Sequence, residues 1–171
     1  FMRNFLGGKE EDMASRLNYS QVEPEGYRIL VSLNQFVQSC GLERPLLELV
    51  KIRASQINGC AYCIDMHTKD ARLAGESEQR IYALNAWEET SFYSERERAA
   101  LAWTEAVTLI GENHVPDELY RSVSQYFNEK ELVDLTLAVI LINSWNRLAI
   151  TFRSEPGSYQ PHKTTLLQEA K

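Results

Sequence analysis

The stretch "ELVKIRASQINGCAYCIDMH", residues 48–67, contains two helical segments separated by Asn58-Gly59. Asparagine followed by glycine is a turn signal, because both residues tolerate the left-handed backbone that ends a helix. The first segment opens at Pro45, a residue favoured in a first helical turn. The second begins at or near Cys60 and stops at Gly75. This part of the chain therefore predicts two consecutive α-helices joined by a very short turn.

The remaining sequence continues in the same way, and no run shows the sustained alternation of a β-strand. Ser77 can cap a short helix, and the pairs Ser94/Glu97 and Asn128/Glu131 have the spacing of a capping box. We predict an all-α protein, a single-domain bundle of about six to eight helices over residues 15–155. The predicted helices span residues 25–40, 45–58, 60–75, 78–87, 95–110, 117–127 and 132–150.

Two of these helices have an apolar stripe that is expected to face the core. In the helix at 25–40, the stripe consists of Ile29, Leu33, Phe36, Val37 and Cys40. In the helix at 95–110, it consists of Ala99, Ala102, Trp103, Ala106 and Ile110. The helix at 132–150 is apolar nearly all round, so part of its surface is expected to form an interface with another copy of the chain.

Composition narrows the class of function. The chain has 171 residues, 44% of them hydrophobic and 25% charged, which fits one globular domain. A net charge of -6 without a cluster of Lys or Arg argues against a nucleic-acid partner. The most apolar run, residues 135–142, is too short to span a membrane, and no secretory signal precedes the domain. We therefore expect a cytoplasmic protein.

Both ends of the chain are expected to lie outside the bundle. Residues 1–14 are predicted to form a flexible or non-native N-terminal arm, with Met13 as the expected natural start. Residues 156–171 contain proline and glycine and are predicted to form an extended C-terminal arm with a short terminal helix.

Cys60, Cys63 and His67 are the residues with the most distinctive chemistry. At about 100° per residue, Cys63 and His67 fall at about 300° and 340° relative to Cys60, so the three side chains share one face of the helix. Ala71 and Ala74 continue that face. Cys60 lies in the first turn, where free N–H groups favour a thiolate. Such a pair suits dithiol redox chemistry, in which one sulfur attacks and the other resolves the product.

Two other interpretations of the C-x-x-C spacing remain open. The cysteines could be small core residues. They could also be half of a zinc site, which would need further ligands from Cys40, His114 or His162. Glu48 shares the polar side of its helix with Lys51 and Ser55, and this pattern alone places it on a solvated face.

The same stretch resembles the core motif of the alkylhydroperoxidase D-like proteins, within the carboxymuconolactone decarboxylase superfamily. The motif is a Glu, eleven intervening residues, and then C-x-x-C-x-x-x-H. The segments "SERERAALAWTEA" and "NSWNRLAI" further resemble a peroxidase-related branch, and the similarity covers roughly residues 15–160. The lactone decarboxylase branch generally lacks the dithiol, so its reaction is not expected here.

The resemblance implies a thiol peroxidase that assembles as a dimer, trimer or hexamer. It assigns the relay carboxylate to Glu48, the relay histidine to His67, the peroxidatic thiol to Cys63 and the resolving thiol to Cys60. No bound cofactor is implied, and the disulfide would be reduced by an external dithiol, which is a lipoyl group in some members. A disulfide oxidoreductase or redox sensor acting on proteins and a non-enzymatic assembly protein are the alternative functions.

The sequence leaves the roles of five further residues open. Tyr62 stands where some characterised members have a histidine, and tyrosine is not a base near neutral pH. Asn143, Asn146 and Arg147 could line a pocket, although polar side chains of this kind more often bridge helices. Trp145 is expected to belong to the core.

Overall fold

The computed structural model describes residues 14–161, and every regular element in that range is helical. The all-α prediction is confirmed. The described residues form nine α-helices, and setting aside the single-turn helices α1 and α7 leaves seven. The helices, in chain order, are α1 (Tyr19–Val22), α2 (Pro24–Ser39), α3 (Arg44–Asn58), α4 (Ala61–Leu73), α5 (Glu78–Ala83), a 3₁₀ helix (Leu84–Glu89), α6 (Glu95–Thr108), α7 (Ile110–Asn113), α8 (Asp117–Val123) and α9 (Glu129–Phe152).

The predicted capping residues mark the helix starts, and the helix that Asn128 caps, α9 (Glu129–Phe152), extends beyond the predicted 132–150 at both ends. Ser94 with Glu97 and Asn128 with Glu131 each form a complete capping box, in which each side chain accepts from the other residue's backbone N–H. Gly59 ends α3 and adopts φ 69° and ψ 32°, the left-handed conformation that a glycine accepts without strain. These boundaries were predictable because each depends on residues only a few positions apart.

Three predicted helices end earlier than expected. The helix at 95–110 ends at Thr108, because Leu109 leaves the helical conformation with φ -98° and ψ 29°. Ile110 therefore begins the separate helix α7 and is exposed. The helix at 78–87 changes into the 3₁₀ helix after Ala83, and the helix at 117–127 ends at Val123.

The apolar stripe predicted for α2 is wrong at two positions. Val37 is completely buried, whereas Ile29 is 70% exposed and Phe36 is 46% exposed. The reason is that α2 packs mainly on α9 and α1. The apolar residues of α2 cover a wider part of the helix surface than these two neighbours bury. The outer edge of that apolar surface faces away from the bundle.

Helix α3 lies at the centre of the bundle and packs against α4, α6 and α9. Helix α9 is also long and apolar enough to cross a membrane, with a mean hydropathy of 1.4. It nevertheless buries Asn143 and Asn146, whose side-chain amides donate to Thr108 and Ser55 on other helices. These contacts are those of a core helix, and they bring α9 against the turn between α3 and α4.

The described part of the C-terminal segment lies along α4. Gly157 donates its backbone N–H to Asp65, and Lys69 donates to the carbonyl of Tyr159 at 3.0 Å. The predicted terminal helix and almost all of the predicted N-terminal arm, including Met13, fall outside residues 14–161.

Candidate active site

The turn between α3 and α4 brings the two cysteines into the core. Cys60 is the N-cap of α4, and its backbone N–H donates to the Ser55 carbonyl at 2.9 Å. Cys63, His67 and Ala71 then follow on the buried face of α4, which is the face that the spacing predicts. Both cysteines are free thiols and are only 1% exposed.

Glu48 lies in this buried region and not on a solvated face. The interpretation from helical periodicity is wrong here, because Glu48 and Lys51 are each 5% exposed and Ser55 is fully buried. Glu48 Oε2 lies 2.9 Å from His67 Nδ1, and its Oε1 accepts from Lys51 Nζ at 2.8 Å. The polar side of α3 is therefore covered by α4, and its carboxylate joins the histidine that the resemblance pairs with it.

The charges around Glu48 favour its ionised form. Burial by itself raises the pKa of this carboxyl, but the charges and hydrogen bonds of His67 and Lys51 outweigh burial and lower the pKa from 4.5 to about 2. A carboxylate at Oε2 accepts a proton-bearing Nδ1, so in neutral His67 the atom Nε2 is free to accept a proton. Glu48 thus fixes the orientation of the His67 ring.

The two thiols influence each other, and Cys60 is the one whose thiolate is favoured. The Cys63 thiol has the largest influence and lowers the pKa of Cys60, and burial opposes it. The backbone N–H of Cys63, the Asn146 side chain and the backbone N–H of Tyr62 also favour the Cys60 thiolate, so that its pKa falls from 9.0 to about 7. The hydrogen bond between the Cys60 and Cys63 side chains, together with burial, raises the pKa of Cys63. At neutral pH the pair is poised to hold one proton.

Asn146, for which the sequence left pocket lining and helix bridging open, is a further functional candidate. It does bridge helices, since its Nδ2 donates to Ser55 Oγ at 3.0 Å and its Oδ1 accepts from Asn58 at 2.8 Å. It also favours the thiolate form of both cysteines. Asn143 bridges helices, because its Oδ1 accepts from Asn58 at 3.0 Å, whereas Arg147 donates to that same Oδ1 at 2.8 Å from within α9.

Two cavities reach the two sulfurs. The aromatic cavity, of about 210 Å³, contains Cys63 and His67. Its other walls are mainly large apolar or aromatic side chains: Tyr19, Tyr27, Val31, Tyr62, Met66, Trp145 and Ala149, with Asn34. The Cys60 cleft, of about 600 Å³, is lined by Ala14, Gly59, Cys60, Ala61, Tyr62, Ala149, Ile150 and the segment 153–156. Trp145, predicted to be core, is half-buried and lines the first of these cavities.

A third cavity, of about 180 Å³, lies on the other side of His67 and is polar. Its walls include Glu48, Lys51, Asp70 and Tyr159, whose hydroxyl donates to Asp70 at 2.8 Å. Burial raises the pKa of Asp70. No local pattern pointed to Asp70 and Tyr159, because their contact joins residues 89 positions apart.

The structure also bears on the metal-site interpretation. Among residues 14–161, the grouping that could hold a metal ion is Glu48, His67 and Asp70, whose ligand atoms lie within 4.8 Å of one another. The Lys51 ammonium on Glu48 opposes a cation there. Cys40 donates its thiol to the Val37 carbonyl at 3.1 Å, and within the described residues the C-x-x-C pair is not part of a three-ligand group. His114 is exposed, and His162 falls outside the described part of the chain.

Comparison with known proteins places this architecture in a family. Residues 24–106 match the model of the carboxymuconolactone decarboxylase family. The chain is 48% identical to the uncharacterized protein YdfG of Bacillus subtilis over 146 residues, which cover 85% of this chain and 99% of YdfG.

Solved structures show the same fold. A protein of unknown function from Agrobacterium tumefaciens, whose name links it to antioxidant defence and AhpD, is 43% identical, with a TM-score of 0.83 over 85% of this chain and all of that one. The debrominase Bmp8 bound to 2,3,4-tribromopyrrole is 19% identical, with a TM-score of 0.73 over 81% of this chain and 74% of Bmp8. The chain therefore belongs to the carboxymuconolactone decarboxylase family, among the AhpD-like proteins.

Proposed function

We propose that the protein is a thiol-dependent peroxidase that reduces hydroperoxides through a dithiol–disulfide cycle of Cys60 and Cys63. The observation that carries the proposal is the shared cavity of Cys63 and His67, with His67 held by the buried Glu48. A thiol next to a positioned base, with a second thiol one helical turn away, contains every group that the reaction requires. The antioxidant-defence name of the Agrobacterium relative supports the same activity.

The first half of the cycle begins with the proton of Cys63. This proton passes to His67 Nε2, directly or through water, and the Cys63 thiolate attacks the terminal oxygen of the hydroperoxide. The O–O bond breaks, the alkoxide takes the proton from His67 and leaves as the alcohol, and Cys63 becomes a sulfenic acid. The Cys60 thiolate then attacks the Cys63 sulfur, and the hydroxyl leaves as water after protonation. The peroxide is reduced by two electrons and the dithiol is oxidised to a disulfide.

The environment of each sulfur suits the role assigned to it. Cys63 is the neutral member at rest, so its attack depends on removal of its proton by His67. The lowered pKa of Cys60 favours its thiolate, which can attack the sulfenic acid without a base of its own. The walls of the aromatic cavity favour a hydroperoxide with an apolar alkyl or aryl group.

Single-cysteine variants test this assignment. In Cys60→Ser, one equivalent of cumene hydroperoxide should convert Cys63 to a sulfenic acid that dimedone labels, with the label located by peptide mass spectrometry. Cys63→Ser should consume peroxide no faster than free cysteine does. Equal peroxide rates for wild type and Cys63→Ser would remove Cys63 from the attacking role. A wild-type rate equal to that of free cysteine would favour disulfide exchange with protein partners as the function of the dithiol.

We further propose that the chain self-associates through α2 and α9. These helices contact each other, and each has two exposed large apolar residues seven positions apart: Ile29 with Phe36, and Val133 with Ile140. A separation of seven residues places each pair on one helix face. Apolar faces of this kind on neighbouring helices are suited to a subunit interface.

A further inference from the structure

The two sulfurs of the C-x-x-C motif open toward different spaces. Cys63 lines the aromatic cavity together with His67, whereas Cys60 lines the larger Cys60 cleft and is absent from the aromatic cavity. Tyr62 and Ala149 are the residues common to both sets of walls, and they therefore form the partition between the two spaces. A molecule in one space meets one sulfur and not the other.

The walls of the two spaces also differ. The aromatic cavity has tyrosine and tryptophan walls and holds the proton relay at His67. The Cys60 cleft is about three times larger and has small side chains at its base, with Gly59 and Ala61 on either side of Cys60. Ala61 is exposed, so the cleft reaches solvent directly beside the sulfur.

We propose that the Cys60 cleft is a separate site for the reductant, a slender aliphatic dithiol that attacks the Cys60 sulfur of the disulfide. The hydroperoxide would use the aromatic cavity and the Cys63 sulfur. The assignment of the oxidant rests on the proposed function, whereas the position of the reductant does not. Because the two reactants occupy different spaces, the reductant can enter the Cys60 cleft before the alcohol has left the aromatic cavity.

The reductive half-reaction is then a pair of thiol–disulfide exchanges. One thiolate of the dithiol bonds to Cys60 Sγ, the Cys60–Cys63 bond breaks, and Cys63 leaves as a thiol after taking a proton from His67. The mixed disulfide joins Cys60 to one sulfur of the reductant. The second thiolate of the reductant then attacks that reductant sulfur, and Cys60 leaves as a thiolate. Two electrons pass to the protein, and the reductant leaves as a cyclic disulfide.

The surroundings of each leaving sulfur fit this order of events. Cys63 needs a proton when it leaves, and His67 lies in the same cavity to supply it. Cys60 can leave without one, because the Cys63 thiol, the N–H groups at the start of α4 and the Asn146 side chain favour its thiolate. Since Cys60 is only 1% exposed, a flat protein surface cannot reach it, whereas a narrow aliphatic chain can enter the cleft.

Matched wall variants separate the two sites. Ala61→Phe fills the mouth of the Cys60 cleft and Val31→Phe fills the aromatic cavity, so each variant is the matched control for the other. Each protein is oxidised with diamide, so that the reductive test needs no peroxide, and is then reduced with dihydrolipoamide. A separate measurement follows oxidation of the reduced protein by cumene hydroperoxide.

Because exchange rates depend on access to the attacked sulfur, we expect Ala61→Phe to slow reduction at least about tenfold and to change oxidation less than about twofold. Val31→Phe should show the opposite pattern, with slower oxidation and unchanged reduction. Reduction by reduced thioredoxin should be slower than by dihydrolipoamide. Unimpaired reduction in Ala61→Phe, equal slowing of both half-reactions, or thioredoxin as the faster reductant would each overturn the proposal.

A monothiol identifies the attacked sulfur directly. The diamide-oxidised protein is mixed with 2-mercaptoethanol, quenched with iodoacetamide and mapped by mass spectrometry. The mixed disulfide is expected on Cys60 and the carbamidomethyl group on Cys63. The opposite pattern would place the reductant at Cys63 and refute the separate site. Loss of the peroxide reaction with the expected pattern retained would contradict the proposed oxidant alone.

Discussion

Replacing Glu48 by glutamine removes one buried negative charge while keeping the size of the side chain. The carboxylate contacts two groups, the Lys51 ammonium at 2.8 Å and His67 Nδ1 at 2.9 Å. An amide can still accept one hydrogen bond, but it cannot offset the charge of a lysine that is itself 5% exposed. We therefore expect Glu48→Gln to destabilise the fold as well as to slow the reaction with peroxide.

The size of the loss follows from the pKa of Glu48. Its pKa is about 2 in the folded protein and 4.5 ordinarily, a difference that corresponds to about 3 kcal/mol at 1.36 kcal/mol for each pH unit. Removing one partner of a buried ion pair costs about 3–5 kcal/mol, which agrees. For a chain of this length, a loss of about 3 kcal/mol lowers Tm by roughly 6–12 °C.

The pH dependence provides the sign of the effect. A carboxyl with a lowered pKa in the folded state contributes its full stabilisation above the unfolded pKa of 4.5, and that contribution is lost as the pH falls toward the folded value of about 2. The free-energy difference between wild type and Glu48→Gln should therefore be largest at pH 7 and fall to less than about half by pH 3.

Urea unfolding followed by circular dichroism at pH 7, 4 and 3 measures these free energies. Glu25→Gln is the matched control, because Glu25 pairs with Arg28 at 3.9 Å on the surface, where such pairs contribute at most about 1 kcal/mol. The double variant Glu48→Gln/Lys51→Met removes the unpaired ammonium and should regain part of the loss. A cost below about 1 kcal/mol at pH 7, or the same cost at pH 7 and pH 3, would refute the reasoning.

Three further predictions concern the thiols and the surface. The rate of Cys60 alkylation by iodoacetamide should have its midpoint near pH 7. Cys63→Ala removes the largest cause of the lowered pKa and should move the midpoint toward the free value of about 8.5. An unchanged midpoint would contradict the influence of Cys63 on Cys60. Asn146→Ala should raise the same midpoint and reduce the free energy of unfolding by about 1–3 kcal/mol in urea titrations, whereas no change in either would exclude Asn146 from the site. Ile29→Asp and Ile140→Asp should each convert an assembled wild type to monomers in sedimentation velocity, and a monomeric wild type would refute self-association.

The sequence was sufficient for those features of the fold that depend on neighbouring residues. The capping box at Ser94 and Glu97 and the glycine at position 59 each set a helix end through contacts within one turn. Ile110 was misplaced because an interruption at Leu109 ends the helix, although the apolar pattern continues through it. Ile29 was misplaced because periodicity shows which residues share the apolar side of a helix. It does not show how much of that side the neighbouring helices cover.

The site was predictable to the extent that it lies on one helix. Cys63 and His67 share a buried face because their spacing is helical, and this required only sequence. The burial of Glu48 depends on the packing of α4 over α3, so a pattern confined to α3 assigned it to solvent. The contacts of Asn146 with Ser55 and of Tyr159 with Asp70 cross about 90 positions of the chain and have no local signature.

Tyr62 is the position at which the sequence departs from some members of the family, and the structure gives it a different kind of role. Burial raises its pKa, so it does not replace the basic group that a histidine would supply. It lines both the aromatic cavity and the Cys60 cleft, where a bulky ring separates the two sulfurs' surroundings. In the proposed cycle, proton transfer therefore depends on His67 and Glu48 alone among the motif residues. In the proposed arrangement, the tyrosine that stands in place of a second base also forms the wall between the sites for oxidant and reductant.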